Sequence, residues 1–236
     1  MVVTVRPLHQ GDVKISSRLH RDVLDMEFLA RCGNGFIRCY HRAWVDSVHG
    51  IALAAVDGDG NVVGVLLGAL RPDRHFRTIV RHHGHALAFW LLVRAMSSPR
   101  FAKELLSTRA VRYVRGLIRM LDTLLRRHVR ADHLSPGGII GADAIDTSSP
   151  SAWVPVIGEV THVMVREDAQ GHGVGRALLD EARNTGHHAG LDELVLVTPP
   201  DLAAGEFYEH LGWERVGELT SRSGEEFIRY HLSLHA

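Results

Sequence analysis

The sequence predicts an α/β (α+β) fold, on three observations. Short apolar runs of strand character recur along the chain, at 2–6, 51–56, 62–70, 158–166, 193–198 and 227–234. Helical apolar spacing fills the segments between them. Near residue 170 a strand runs directly into a glycine-rich loop that opens a helix. With 236 residues the chain is long enough to bury a substantial core. Its 45% hydrophobic and 23% charged content excludes a disordered or collagen-like chain.

Val2–Arg6 reads as a strand ending near Pro7. Asp12–Leu24 and Met26–Asp46 carry apolar residues at helical spacing, and Gly33-Asn34-Gly35 predicts a break within the second segment. Ile51–Val56 and Val62–Leu70 flank Asp57-Gly58-Asp59-Gly60-Asn61, a hairpin signal. The loop starts like a calcium site, but Val62 and Gly68 stand where such a loop needs Gly and Glu, so it reads as a plain turn.

The next segment differs in charge. Residues 71–136 hold fourteen basic and four acidic residues, a net +10 inside a chain of net charge zero. A step of this size marks an inserted element or a subdomain, and residues 72–130 read as helical. Phe76, Ile79, Val80, Leu87, Trp90 and Leu91 give helical spacing, and Ser97-Ser98-Pro99 predicts a break. Beyond it an apolar stripe from Leu105 to Leu125 is interspersed with arginines at 109, 112, 115, 119, 126 and 127. Residues 131–157 read as a loop. The segment fits a solvated helical cap, a wall beside an acidic small molecule, or a surface for a membrane, nucleic acid or acidic carrier protein.

Zero net charge disfavours a nucleic-acid binder. The longest apolar run, Ala86–Val93, is eight residues, far short of a membrane span. The N-terminus lacks a secretory pattern. Cys32 and Cys39 cannot build a disulfide framework and read as core-facing thiols. Together these predict a cytoplasmic protein. His82, His83 and His85 read as a solvated cluster, so no metal site is expected.

The informative stretch is Glu159–Gly175, EVTHVMVREDAQGHGVG, followed by the helical RALLDEAR. Glycines let the backbone turn sharply and approach a ligand. The helix behind them aims unpaired N–H groups and its positive end at the loop, which suits a pyrophosphate. The spacing Gly171-x-Gly173-x-Gly175 is neither the dinucleotide fingerprint nor a phosphate-binding loop with Lys–Ser/Thr.

The order strand, Gln-x-x-Gly-x-Gly, helix, strand, then AAGEFYEHLGW at 203–213, resembles the GNAT superfamily of N-acetyltransferases. The resemblance is carried by residues 157–234, is consistent over 1–70, and does not extend to 71–156. It implies a single domain over 1–236 with a central mixed, mostly antiparallel sheet flanked by helices, and a basic, largely helical insertion over 71–156 between the third and fourth strands. It also implies acetyl-CoA as co-substrate. The backbone of Val163, Met164 and Val165 would then pair with the pantetheine arm. Gln170, Gly171, His172, Gly173, Val174, Gly175 and Arg176 would hold the pyrophosphate. Asp201 departs from the family, many of whose members carry a cofactor-contacting Asn there.

An amine acceptor is mostly protonated near neutral pH and must lose a proton before it attacks a thioester. Glu159 matches by position a glutamate that some family members use, and His162 is a second proton acceptor. Strand alternation predicts Glu159, Thr161 and Val163 on one face and Val160, His162 and Met164 on the other. Tyr208 matches the family's frequent general acid. Phe207, Leu211 and Trp213 read as core. The resemblance thus implies acetyl transfer from acetyl-CoA to a primary amine in a ternary complex. The expected acceptor is a small molecule, with an acidic one compatible with the insertion and a homodimer compatible with the rest. The competing expectations are a non-catalytic acyl-CoA sensor, a longer-chain acyltransferase, and a protein amine as acceptor.

Overall fold

The computed structural model describes residues 2–25, 28–106, 155–200, 204–220 and 226–235. Strand β1 (Thr4–Pro7) leads to helices α1 (Val13–Val23), α2 (Phe28–Arg31) and α3 (Asn34–Asp46). The hairpin β2 (Gly50–Val56) and β3 (Val62–Ala69) follows, then α4 (Pro72–Ser97) and α5 (Pro99–Leu106). The rest is β4 (Ile157–Val165), α6 (Val174–His188), β5 (Glu193–Thr198), α7 (Ala204–His210), β6 (Glu214–Thr220) and β7 (Glu226–Ser233).

The seven strands form one sheet in the order β1-β2-β3-β4-β5-β7-β6. Every pairing is antiparallel except β4 with β5. Helix α6 packs across β2, β3 and β4 on one face. Its Leu178 and Ala182 bury against Leu53, Leu66, Val160 and Leu194. On the other face α1, α3 and α4 supply Leu19, Ile37, Trp44 and Ile79, against Ala54, Val65, Leu67 and Met164. Covered on both sides, β3 is buried at every position, which is why its sequence is an unbroken apolar run.

The local signals act as expected at several points. Gly33 takes φ +91° and separates α2 from α3. Gly35 lies inside α3, where a Cβ would stand 2.2 Å from the Trp90 ring, so its absence lets α4 approach. The Asp57 carboxylate accepts the Asp59 and Asn61 backbone N–H groups, closing the hairpin turn from within. Pro99 opens α5, and Ser98 Oγ accepts the Phe101 N–H. Cys32 is buried, Cys39 half-buried, and no disulfide joins them. The stripe beyond α5, its arginines from 109 to 127, the loop over 131–154 and Asp201 lie outside the described residues.

The sequence reading missed β6. Six of its seven residues are exposed, and it lies at the sheet edge. Without a buried face there is no apolar alternation to betray it.

Candidate active site

Strand β4 changes partners midway. From Ile157 to Val160 it pairs with β5 on one edge, and from Glu159 onward with β3 on the other. Beyond Val160 no β5 residue pairs with it, although β5 runs on to Thr198 beside β7. The parallel strands therefore part, leaving one edge of residues 161–165 without a ladder. Buried backbone groups need partners, so an extended polar ligand fits this edge. Val163, Met164 and Val165 lie along it. The Met164 side chain is buried in the core under α1 and α3, so only its backbone is available there.

The open edge leads into the glycine loop. Gln170 turns its amide back to the Val165 carbonyl (3.1 Å), tying the loop to the end of β4. Gly171 and Gly173 take φ +73° and +81°, and a Cβ on either would meet open space. These glycines answer to backbone conformation rather than crowding. Gly173 is the N-cap of α6 and supplies no side-chain cap, which leaves first-turn N–H groups facing outward. His172 Nδ1 donates to the Gln170 carbonyl (2.8 Å), while Arg176 is exposed beside the loop. Val174 is buried and anchors the turn. Gly175 lies under the Phe207 ring, whose Cζ would stand 3.1 Å from a Cβ at this position. The core position expected for Phe207 is corrected here: it is 38% exposed and covers this turn. Trp213 is buried and Leu211 packs at the core margin. These loop features fit a pyrophosphate.

The other face carries the proton-accepting groups. Gly68 pairs with Val160 and Leu67 with His162, so Thr161 is an extra, bulged residue. The bulge overturns the simple alternation. Val160 joins the core under α6, whereas Met164 joins the core under α1 and α3, and His162 packs against His20 of α1 and Tyr40 of α3. Glu159, paired with Ala69 of that same core, shares the face of His162 instead of opposing it. Burial pushes the Glu159 carboxyl up, and the nearby His162 and Arg229 pull it partly back.

Behind His162 stands a row of buried histidines that sequence reading did not find. Ser16 donates to the Val13 carbonyl (3.3 Å), so its oxygen accepts from His41 Nδ1 (3.0 Å). His41 Nε2 then accepts from His20 Nδ1 (3.0 Å), and the His20 ring lies 4.9 Å from that of His162. Burial and the two neighbouring imidazoles hold His41 well below the ordinary histidine range. No local spacing links residues 16, 20, 41 and 162, and only packing unites them.

Tyr208 belongs to the opposite face. It packs against Trp213 and Tyr230, with ring centroids 6.2 and 5.8 Å away. Burial, reinforced by Tyr230, pushes its phenol up to about 12. The hydroxyl keeps its proton at neutral pH. Against a thiol of ordinary pKa near 8.5 it serves better as a hydrogen-bond donor than as a full proton donor.

Arg229 of β7 also escaped the sequence reading, because one arginine among 25 carries no local signal. Its Nε is buried and has no hydrogen-bond partner. Such a donor costs about 1–3 kcal/mol when left unmet. His83 pairs with Asp46 (3.2 Å), and among the described residues no group of three or more His, Cys, Asp or Glu is placed to hold a metal ion. No described helix is long and apolar enough to cross a membrane.

Residues 126–215 match the family model described as Acetyltransferase (GNAT) domain. No curated protein matches the chain in sequence. Among solved structures, a spermidine N-acetyltransferase chimera of the Vibrio cholerae enzyme with a second protein aligns at a TM-score of 0.55 and 12% identity, over 98% of this chain and 95% of that one. The ribosomal-protein-S18-alanine N-acetyltransferase of Escherichia coli aligns at 0.52 and 11%, over 100% and 96%. A NatC complex bound to Gag peptide and CoA aligns at 0.50 and 14%, over 100% of both chains. At these identities the structural likeness speaks for the fold alone, and the family match covers 90 of the 236 residues. Residues 126–215, which hold β4, the glycine loop, α6, β5 and α7, are thus similar to a GNAT acetyltransferase domain, and the fold is the one these N-acetyltransferase structures share.

Proposed function

We propose that this protein transfers an acetyl group from acetyl-CoA to the primary amine of a small molecule, by direct attack in a ternary complex. The observation that carries the reading is the parting of β4 from β5, which leads into the uncapped glycine turn of α6 with Glu159 at the fork. The backbone of residues 163–165 and the loop Gln170–Arg176 would hold acetyl-CoA. That co-substrate supplies an activated thioester carbonyl.

The chain's own groups supply the rest. Glu159 accepts the proton of the incoming ammonium, and its burial raises the carboxyl toward a better match for that task. His162, on the same face, stabilises the charged carboxylate. Tyr208 donates a hydrogen bond to the departing sulfur from the opposite face. The sheet thus separates the acceptor from the leaving group while the fork lets them meet.

The test is calorimetric titration with acetyl-CoA, desulfo-CoA and a long-chain acyl-CoA, joined to a thiol-release assay over a panel of amines. Acetyl-CoA binding with release on a small amine is the expected result. Binding without release on any amine, small or peptidic, indicates a sensor module instead. Preference for the long chain indicates a different acyltransferase, and no binding overturns the reading.

A further inference from the structure

We infer that Arg229 is an oxyanion-binding residue of the acceptor site, and that the acceptor is an amine carrying a carboxylate or phosphate group close to its nitrogen. This inference rests on the acetyl-transfer reading above and names the substrate class of that site.

The sheet register places the guanidinium. Arg229 pairs with Val197 of β5, two residues beyond the Val195 that pairs with Glu159. Adjacent Tyr230 points into the core under α6, so Arg229 projects from the face that carries Glu159. Strand β5 has already lost β4 at the level of Val197. Arg229 therefore lies across β5 from the fork, on the face of Glu159 and one row beyond it. On its other side Arg229 pairs with Gly217 of β6, where even a Cβ would meet open space. Among the described residues, no atom comes within 4 Å of that position.

The charge arrangement points to a ligand with two ends. Arg229 is half-buried, its Nε is wholly buried without an acceptor, and it forms no ion pair among the described residues. It is close enough to Glu159 to favour the charged carboxylate, yet the two do not hydrogen-bond. A carboxylate that takes an ammonium proton and a guanidinium with an open donor fork bind opposite ends of a zwitterion. The planar fork suits carboxylate and phosphate alike. A polyamine, by contrast, would bring a second cation against Arg229.

The experiment uses matched amines: α-amino acids, the same amines without the carboxylate, an aminoalkyl phosphate and spermidine. Thiol release gives kcat/KM for each, and calorimetry gives affinity for the same compounds with and without acetyl-CoA. Wild-type protein is expected to prefer the oxyanion-bearing partner of a pair at least tenfold. Arg229→Gln collapses that ratio toward one, Arg229→Lys keeps part of it, and both retain acetyl-CoA affinity as a measure of folding. Preference for the phosphate over the carboxylate, or the reverse, supports the inference and names the group. A wild-type preference for the uncharged amine or spermidine, or a ratio unchanged in Arg229→Gln, overturns it while leaving acetyl transfer intact. Failure of acetyl-CoA to bind overturns the acetyl-transfer reading instead. In that case the inference stands only if the protein alone binds oxyanion-bearing amines and loses them in Arg229→Gln.

Discussion

On the face covered by α6, the residues of the site are neighbours in sequence, Gln170 to Arg176, completed by Phe207 and Tyr208 from one short helix. On the face covered by α1, α3 and α4 they are scattered: Glu159 and His162 from β4, Arg229 from β7, and His20 and His41 behind them. The first face is almost free of buried charge-bearing groups, and its core is aliphatic apart from Trp213 and Tyr230. The second buries His20, His41, His75 and His162. Under the proposed function, the contrast separates what a common co-substrate needs from what an individual acceptor needs. A phosphate cradle can be built from backbone groups at a helix start, whereas acceptor recognition requires side chains at chosen depths.

Substitutions on each face should separate these roles. Glu159→Gln is expected to lower kcat by about 10²–10³-fold while leaving acetyl-CoA affinity unchanged. Equal loss of co-substrate binding would break the division between faces. Because burial raises the Glu159 carboxyl, the acidic limb of the kcat/KM profile should fall above pH 4.5 as protonation removes the base.

Acid should weaken the histidine-bearing face first. In the folded protein burial holds His75 at about 4, against 6.5 when exposed, and His41 is also depressed. Between pH 6.5 and about 4 the unfolded chain binds protons that the folded chain refuses, so stability falls as pH falls. His75 alone accounts for roughly 3 kcal/mol. Thermal melts from pH 7 to 4.5 should show the loss, and hydrogen exchange should rise in α1, α3 and α4 before α6. Uniform loss across both faces would contradict the comparison.

Gly173→Val tests the other face. The left-handed conformation at φ +81° costs a branched side chain about 1–2 kcal/mol, and the Cβ intrudes on the cradle. Acetyl-CoA affinity should drop about tenfold or more, read by calorimetry, with the melting temperature lowered by only about 2–8 °C. The smallest effect is expected for Tyr208→Phe. If the phenol only donates a hydrogen bond, kcat should fall by about three- to tenfold. A loss near that of Glu159→Gln would assign Tyr208 full proton donation.

The two faces also differ in how far they were legible. EVTHVMVREDAQGHGVG announced a strand, a tight glycine turn and a helix start, because each depends on neighbours a few residues apart. The hairpin at Asp57–Asn61 and the helix break at Gly33 were legible for the same reason. Glu159 is proposed by position, but the alternation expected from the sequence places it on the wrong face relative to His162. A single bulge at Thr161 reverses the period of two, and nothing in the local sequence marks it. Strand β6 was invisible because an exposed edge needs no apolar pattern.

By itself, then, the sequence determined the α/β class, the glycine cradle and the strand that feeds it, since those rest on backbone conformation and short-range periodicity. Tertiary structure alone decided the rest of the site. Parallel pairing of β4 with β5 ends at Val160 and opens the fork. Pairing of β5 with β7 brings Arg229 beside the fork on the face of Glu159, and packing of α1 and α3 on the sheet brings His20 and His41 behind His162. Residues far apart along the chain acquire a common environment only when the sheet is assembled, so their shared chemistry has no trace in local spacing.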